Sequence, residues 1–233
     1  MQTLNLTKTD KNRLAPAAAS LASLAAITIC PLTSHGATLI DGSGITVTTS
    51  NTNTATGNPT PYAEEYVVDG SGITANYGET GTEWFTNAGE VRDDTWISFD
   101  LGADYILDSM QIWNANRFDT WGIDQLDVYV STIVLPGDPE GAGAGDWMQI
   151  GTNVNFAQAP DRAADSGFDF ETQTGIALPT TAVRHIRFEV DTVFDGNTTG
   201  YVGLNEVQFS VIPEPSATFF GGLGLLALLR RRR

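Results

Sequence analysis

Short runs of alternating apolar and polar residues make up most of the chain between residues 37 and 211. A period of two residues is that of a β-strand with one buried face. The clearest runs are residues 45–49, 96–101, 105–113, 126–134, 183–190 and 206–212. Clusters of Gly, Asn, Asp and Pro between them mark turns, and no part of this region keeps a helical period for three turns. The pattern predicts an all-β domain, an antiparallel β-sandwich.

The same alternation predicts where individual side chains lie. Trp96 and Trp113 fall within strand runs and are expected in the core, and Trp147 is expected to be buried in a strand. His185 alternates with the apolar residues of its run, which favours a position on the surface of the sheet. A surface histidine in a strand is a poor candidate for a catalytic base.

The charge of the chain excludes several classes of function. The net charge is −16 at pH 7, and residues 37–211 contain five arginines and no lysine. Nucleic-acid binding needs a basic patch against phosphate, so it is excluded, and anionic membrane surfaces are disfavoured. An acidic surface instead suits a soluble exported protein or one that binds divalent cations.

The N-terminus has the composition of a secretory signal peptide. Basic residues precede an apolar run at residues 15–32. The small residues that follow this run favour cleavage by signal peptidase after Gly36 or Ala37. We therefore assign residues 1–36 to the signal. Cys30, the only cysteine, leaves with it, so the domain at 37–211 has no disulfide or cysteine metal site.

The C-terminus, residues 212–233, combines three features in order. A Pro-Glu-Pro element is followed by an apolar run at residues 216–229 and then by an arginine block. As a short hydrophobic helix, the run would span roughly 21 Å at about 1.5 Å per residue. A bilayer core is about 30 Å thick, so the run is a poor permanent anchor. The proposed signal residues are Pro213, Glu214, Pro215, Arg230, Arg231, Arg232 and Arg233.

This tail resembles the PEP-CTERM sorting signal of Gram-negative bacteria. The resemblance implies that signal peptidase and an exosortase-type membrane protease process the chain. The tail would be a transient transmembrane tether at the inner membrane. The exported domain would then reach the cell surface, the outer envelope or the extracellular matrix.

A six-residue segment occurs twice in the domain. Asp-Gly-Ser-Gly-Ile-Thr stands at residues 41–46 and again at 69–74. We interpret both copies as turns in which Asp caps the turn, the glycines supply positive φ, and the final β-branched pair starts a strand.

An ordered set of short motifs runs through the domain. In chain order they are residues 67–72 (Val-Val-Asp-Gly-Ser-Gly), Trp84, 96–102 (Trp-Ile-Ser-Phe-Asp-Leu-Gly), 110–116 (Met-Gln-Ile-Trp-Asn-Ala-Asn), 122–123 (Gly-Ile), 128–131 (Val-Tyr-Val-Ser) and 203–209 (Gly-Leu-Asn-Glu-Val-Gln-Phe). This order resembles the coagulation factor 5/8 type C, or discoidin, domain of the galactose-binding-like jelly-roll superfamily. The resemblance implies a β-sandwich whose loops at one end bind sugars, lipids or proteins.

The same resemblance implies a structural calcium ion. Its carboxylate ligands correspond here to Asp69 and Glu206, with carbonyl oxygens around Gly72 and Thr74. Calcium prefers such oxygen ligands. The alternative is that Asp69 only caps a turn and Glu206 is an exposed carboxylate at a strand end.

Sugar binding needs an aromatic platform and planar polar groups, and loops of the domain offer both. The candidate ligand-binding residues are Asn116, Arg117, Trp121, Tyr77 and Trp84. The alternatives are that Arg117 pairs with Asp119 or Asp124 and that Trp121 only packs its loop.

No motif for a catalytic nucleophile, a zinc site or a phosphate loop occurs in the sequence. The resulting hypothesis is an exported, non-catalytic module that binds extracellular polysaccharide. The alternatives are a structural or adhesive matrix protein without a specific glycan ligand and, less favoured, a fragment of an enzyme.

Overall fold

The computed structural model describes residues 37–52, 62–74, 81–87, 95–163, 165–196 and 200–212. All of them belong to one of the two units into which the chain divides, residues 35–233. The signal segment at 1–36, Tyr77 and the Pro-Glu-Pro and arginine residues of the tail lie outside the described residues. In the part that is described, no helix is long and apolar enough to cross a bilayer.

The described residues form ten β-strands and one short α-helix. The strands are β1 (Thr38–Leu39), β2 (Thr46–Thr49), β3 (Trp84–Phe85), β4 (Trp96–Tyr105), β5 (Leu107–Asn114), β6 (Ile123–Ser131), β7 (Met148–Asn155), β8 (Phe168–Asp169), β9 (Val183–Val193) and β10 (Gly203–Val211). The helix, α1, covers Phe170–Thr174, between Asp169 as N-cap and Gly175 as C-cap.

The strands form two sheets. In the first, the order is β1-β10-β5-β8, with β3 also paired to β10. In the second, the order is β2-β4-β9-β6-β7. Every strand pair is antiparallel. This confirms the predicted antiparallel β-sandwich.

Aromatic side chains from both sheets meet in the core. The ring of Phe99 in β4 lies 5.5 Å from that of Phe188 in β9 and 5.3 Å from that of Phe209 in β10, measured between centroids. All three rings are fully buried. Because β10 belongs to the first sheet and the other two strands to the second, these contacts join the layers of the sandwich.

The six predicted strand runs coincide with β2, β4, β5, β6, β9 and β10. Two strands differ most: β6 begins and ends three residues before the predicted run at 126–134, and β4 continues to Tyr105, four residues beyond the predicted run at 96–101. The edge strand β7 was not predicted, because only Gly151 and Val154 of its eight residues are buried. A strand that buries so few side chains shows little alternation in its sequence.

The loop at residues 132–147 partly covers the outer face of the second sheet. On this face the structure differs from the positions predicted for His185, Trp147 and Trp96. His185 faces outward, as expected, but only 5% of it is exposed, and the Trp147 ring lies 6.5 Å from its ring. Trp147 itself lies in the loop before β7, half-buried, rather than in a strand. Trp96 also faces outward and is half-buried, with the Arg187 guanidinium over its ring. Trp113 is in the core, as predicted.

Candidate ligand-binding site at the loop end

Half-buried aromatic rings surround Trp121, which ends a 3₁₀ turn just before β6. The Trp121 ring lies 4.1 Å from Phe118 and 4.3 Å from Tyr201, in tilted contacts. The buried ring of Phe85 meets it edge-on at 5.5 Å. Trp121 therefore packs the loop, as the alternative predicted, and the residue remains partly exposed. We call these four residues the aromatic cluster.

Arg117 lies beside Tyr62 and is held by Glu83. Its Nη1 donates to Oε1 of Glu83 at 3.1 Å, and its guanidinium carbon lies 5.2 Å from the centre of the Tyr62 ring. Tyr62 in turn meets Phe85 edge-on at 5.5 Å, which links the guanidinium to the aromatic cluster. The side chain of Arg117 is 20% exposed and that of Glu83 only 3%.

Asp124, one of the two predicted partners of Arg117, does not pair with it among the described residues, and the side chain of Asp119, the other, lies outside them. Asp124 instead accepts a hydrogen bond from the Thr192 hydroxyl at 3.2 Å. Sequence reasoning missed Glu83, which lies 34 positions from Arg117. Burial raises the pKa of Glu83 to about 7, an effect that the Arg117 hydrogen bond only partly offsets.

Two of the predicted ligand-binding residues are not at the surface. Trp84 is 0% exposed in the hydrophobic core, where its indole N–H donates to the Asn51 carbonyl at 3.2 Å. Asn116 is also buried. Its side-chain N–H donates to the Ala163 carbonyl at 2.8 Å, and its side-chain oxygen accepts from the Asn205 amide at 2.9 Å. Both were expected at the surface because the sequence shows that they flank loops but not how those loops fold back.

A buried asparagine, which sequence reasoning did not single out, organises the loop between β5 and β6. The Asn114 side-chain amide donates to the carbonyls of Ile123 at 2.7 Å and Ala157 at 3.0 Å. Its oxygen accepts from the backbone N–H of Ala115 at 3.0 Å and of Ile123 at 2.9 Å. The three bonds to Ala115 and Ile123 fix both ends of the loop that positions Arg117 and Trp121, and the fourth connects it to the segment after β7.

The predicted calcium ligands lie close together at the turn that follows Val68. Glu206 is 0% exposed, and its carboxylate accepts from the backbone N–H of Gly70 at 3.0 and 3.2 Å and of Gly72 at 3.4 Å. Asp69 is exposed and accepts from the Ser71 N–H at 2.8 Å. The alternative in which Glu206 is an exposed carboxylate is therefore wrong.

Two nearby carboxylates at this turn favour a bound cation, but the described side chains supply only part of the ligand set that calcium needs. Burial raises the pKa of Glu206 to about 7, the two glycine N–H groups lower it, and Asp69 raises it further. A cation near both carboxylates would relieve this repulsion, whereas calcium needs about six to eight oxygen ligands. Among the described residues, no group of three or more His, Cys, Asp or Glu side chains is placed to hold a metal ion. Carbonyl oxygens and water could supply the remaining ligands.

The two Asp-Gly-Ser-Gly turns have the same capping hydrogen bond, but the structure that follows each turn is different. Asp41 accepts from the Ser43 N–H at 3.0 Å, the same contact that Asp69 makes with Ser71. The first copy leads into β2, whereas residues 72–74 form a 3₁₀ turn. Of the four glycines only Gly70, with φ +83°, has positive φ. Gly72 is needed for a different reason, since a Cβ there would lie 2.2 Å from the Asn205 carbonyl oxygen.

Comparison with known proteins identifies the fold. No family model matches the chain, and no curated protein does. Among solved structures, the F5/8 type C domain of a Bacteroides fragilis protein is 16% identical, with a TM-score of 0.51, over 76% of this chain and 98% of that one. A SusE-like protein is 15% identical, with a TM-score of 0.53, over 76% and 67%.

A family 32 carbohydrate-binding module from Clostridium perfringens, solved with GalNAc-β-1,3-galactose, is 13% identical to this chain. Its TM-score is 0.49, over 74% of this chain and 99% of the module. At identities this low, structural likeness shows the fold alone. The described domain has the sandwich fold of F5/8 type C domains, as the order of its sequence motifs implies.

Proposed function

We propose that the domain is a non-catalytic module that binds polysaccharide through the aromatic cluster and Arg117. The observation that supports this best is that Trp121, a partly exposed residue, lies at the same end of the sandwich as a guanidinium held in place by Glu83. An aromatic ring stacks on the apolar face of a pyranose, and a positioned guanidinium donates to its hydroxyls. Asn116 and Trp84 support this surface from within, because both are buried.

The ligand proposed is neutral rather than anionic. The net charge of −16 opposes the approach of a polyanion. Arg117 offers little to offset it, because its charge already faces Glu83. A neutral glycan has no such penalty.

A glycan array tests this function, with full-length protein as the probe. Wild type is expected to bind neutral glycans and Trp121→Ala to lose that binding. Tyr105→Ala is the matched control, because it also truncates a half-buried aromatic residue, at the end of β4. If wild type binds no glycan, or Trp121→Ala binds as well as wild type, the proposal is wrong. Hydrolysis of a glycan by the purified protein would instead indicate an enzyme.

We also propose that calcium binds between Asp69 and Glu206. Bound calcium would stabilise the folded state by mass action. The melting temperature is therefore expected to rise with calcium concentration in wild type and not in Glu206→Gln, which keeps the side-chain shape without the charge. An unchanged melting temperature in wild type would exclude this site.

For the termini, the proposal is export through residues 1–36 and release from the membrane by cleavage near Pro213–Pro215. It rests on sequence alone. Mass spectrometry of the exported protein is expected to find the arginines at 230–233 removed. If they are still attached, the tail is not a temporary tether.

A further inference from the structure

A second concave surface lies on the outer face of the second sheet, at the far end of β6 from the aromatic cluster. It is a cleft of about 230 Å³ between strands β2, β4 and β9 and the loop at residues 132–147. Trp121 precedes β6 and this loop follows it. Nine residues of strand span roughly 30 Å, so the cleft is separate from the loop-end site.

The cleft contains a buried polar atom whose hydrogen-bonding requirement is not met. His185 lines it, and the Nε2 atom of this residue has no hydrogen-bond partner in the described part of the chain. Burial lowers the pKa of His185, which favours the neutral ring. A hydrogen bond from the imidazole to the backbone of Val134 raises this pKa in part. Because Nε2 has no partner, we assign the donor in that bond to Nδ1–H. Nε2 is then an acceptor without a donor, buried beneath the surface of the cleft.

The two charged side chains that line the cleft, Asp100 and Arg187, are each paired with a neighbour of opposite charge. Arg184 donates to both oxygens of Asp100, at 2.8 and 3.1 Å. Arg187 lies 2.7 Å from Glu189 and stacks over Trp96 at 4.2 Å. Its Nε atom is also buried without a hydrogen-bond partner among the described residues. The cleft therefore has hydrogen-bonding groups but no unpaired charge of its own to attract an ion.

The remaining lining combines hydroxyl groups with apolar surface. Thr48 and Ser98 lie on the sheet, and Leu135 and Trp147 belong to the loop side. Leu135 is 86% exposed and adds apolar surface to the rim of the cleft. Hydroxyls and imidazole beside an indole and an aliphatic side chain match the two kinds of surface on a sugar ring.

We propose that this cleft is a second saccharide-binding site, in which hydroxyls of a neutral sugar form hydrogen bonds with the Thr48 and Ser98 hydroxyls and its ring packs against Trp147. The cleft is smaller than the about 300–1,000 Å³ typical of pockets for drug-sized ligands, so it takes a single ring of a chain. The class of ligand is that proposed for the loop end, but the residues are different and the site does not depend on Trp121. Two sites at opposite ends allow one molecule to bridge two polysaccharide chains.

Tryptophan indole N–H signals can report the two sites separately in one NMR titration. Trp121 belongs to the loop end, and Trp96 and Trp147 belong to the cleft. We would titrate ¹⁵N-tryptophan-labelled full-length protein with galactose, glucose and mannose in turn, after assigning each signal by Trp→Phe substitution. Saturable shifts of the Trp96 and Trp147 signals are expected, in wild type and in Trp121→Ala alike.

A blocking substitution tests whether the cleft itself is occupied. Thr48 is exposed on the edge strand β2, so Thr48→Phe places a ring in the cleft without removing a buried contact. Because the ligand would lose about two hydrogen bonds, Thr48→Phe is expected to bind the sugar at least roughly tenfold more weakly, as measured from the Trp96 and Trp147 signals. Thr152→Phe, at an exposed position of the edge strand β7 and outside the cleft, is the control and is expected to bind like wild type.

Each outcome separates the two sites. Shifts at Trp121 alone would overturn the second site and leave the proposed function intact. Shifts at Trp96 and Trp147 alone would support the cleft and contradict the loop-end site. No shift with any of the three sugars, or cleft shifts that persist unchanged in Thr48→Phe, would also overturn the second site.

Discussion

Nη1 of Arg117 lies 3.1 Å from Oε1 of Glu83, a carboxylate that is almost completely buried. The contact joins the loop after β5 to the residue that precedes β3. It fixes a guanidinium beside Tyr62 at the edge of the aromatic cluster. The orientation of the proposed sugar-binding loop thus depends on a carboxylate that no ligand reaches.

The titration of Glu83 predicts a specific dependence of stability on pH. Its pKa is about 7 in the folded state and ordinarily 4.5, so the folded state binds the proton more tightly. The contribution of Glu83 to stability is therefore full below pH 4.5 and is lost as the pH rises through 7. Glu83→Gln is expected to reduce the fall in the free energy of unfolding between pH 5 and 7.

Urea unfolding at a series of pH values, with a chelator present, measures this change. Part of the slope should remain in the variant, because the pKa of Glu206 is raised in the same direction. A slope identical to that of wild type would show that Glu83 does not titrate in this range.

A double-mutant cycle between Arg117 and Glu83 is expected to show coupling. Arg117→Ala leaves the buried carboxylate without this partner, which costs about 1–3 kcal/mol. The same substitution in the Glu83→Gln background is expected to cost less, because a neutral amide is easier to bury unpaired. Coupling of about 0.5–3 kcal/mol should appear in urea unfolding at pH 8. Strictly additive effects would mean that the contact contributes nothing to stability.

Gly203 allows Phe85 to support the aromatic cluster. A Cβ at this position would lie 2.0 Å from Cε1 of the Phe85 ring, so Gly203→Ala must displace that ring. Overpacking of this kind costs about 1–3 kcal/mol, and we expect weaker glycan binding as Trp121 shifts. Thermal melting and the glycan array measure the two effects. Gly145→Ala is the control, since a Cβ there meets nothing within 4 Å; equal behaviour of the two variants would contradict the prediction.

Phe99 is expected to be among the most sensitive core positions. Phe99→Ala removes ring contacts to Phe188 and Phe209 from the centre of the sandwich and should cost about 3–5 kcal/mol in urea unfolding. Leu135→Ala, at an exposed site, should change stability by no more than about 0.5 kcal/mol. A loss below about 1 kcal/mol for Phe99→Ala would mean that the core closes around the gap.

The sequence by itself determined the class of fold, because the side chains of a strand alternate between two faces. The run at 183–190 shows this most clearly: Ile186, Phe188 and Val190 are buried against the other sheet, as their spacing predicts. The edge strand β7 was missed because few of its residues are buried. The resemblance to F5/8 type C domains implied that Asp69 and Glu206 lie near each other, and in the structure the Glu206 carboxylate accepts from the N–H of Gly70, the residue after Asp69.

Only the tertiary structure decided which residues of the candidate sites are accessible and how they are paired. Trp84 and Asn116 are buried because other segments pack over them, and Arg117 meets Glu83 because β3 and β5 both pair with β10. His185 is enclosed because a loop after β6 folds over β9. These contacts join residues far apart in the chain, and local alternation of residue types contains no information about which distant segments become neighbours.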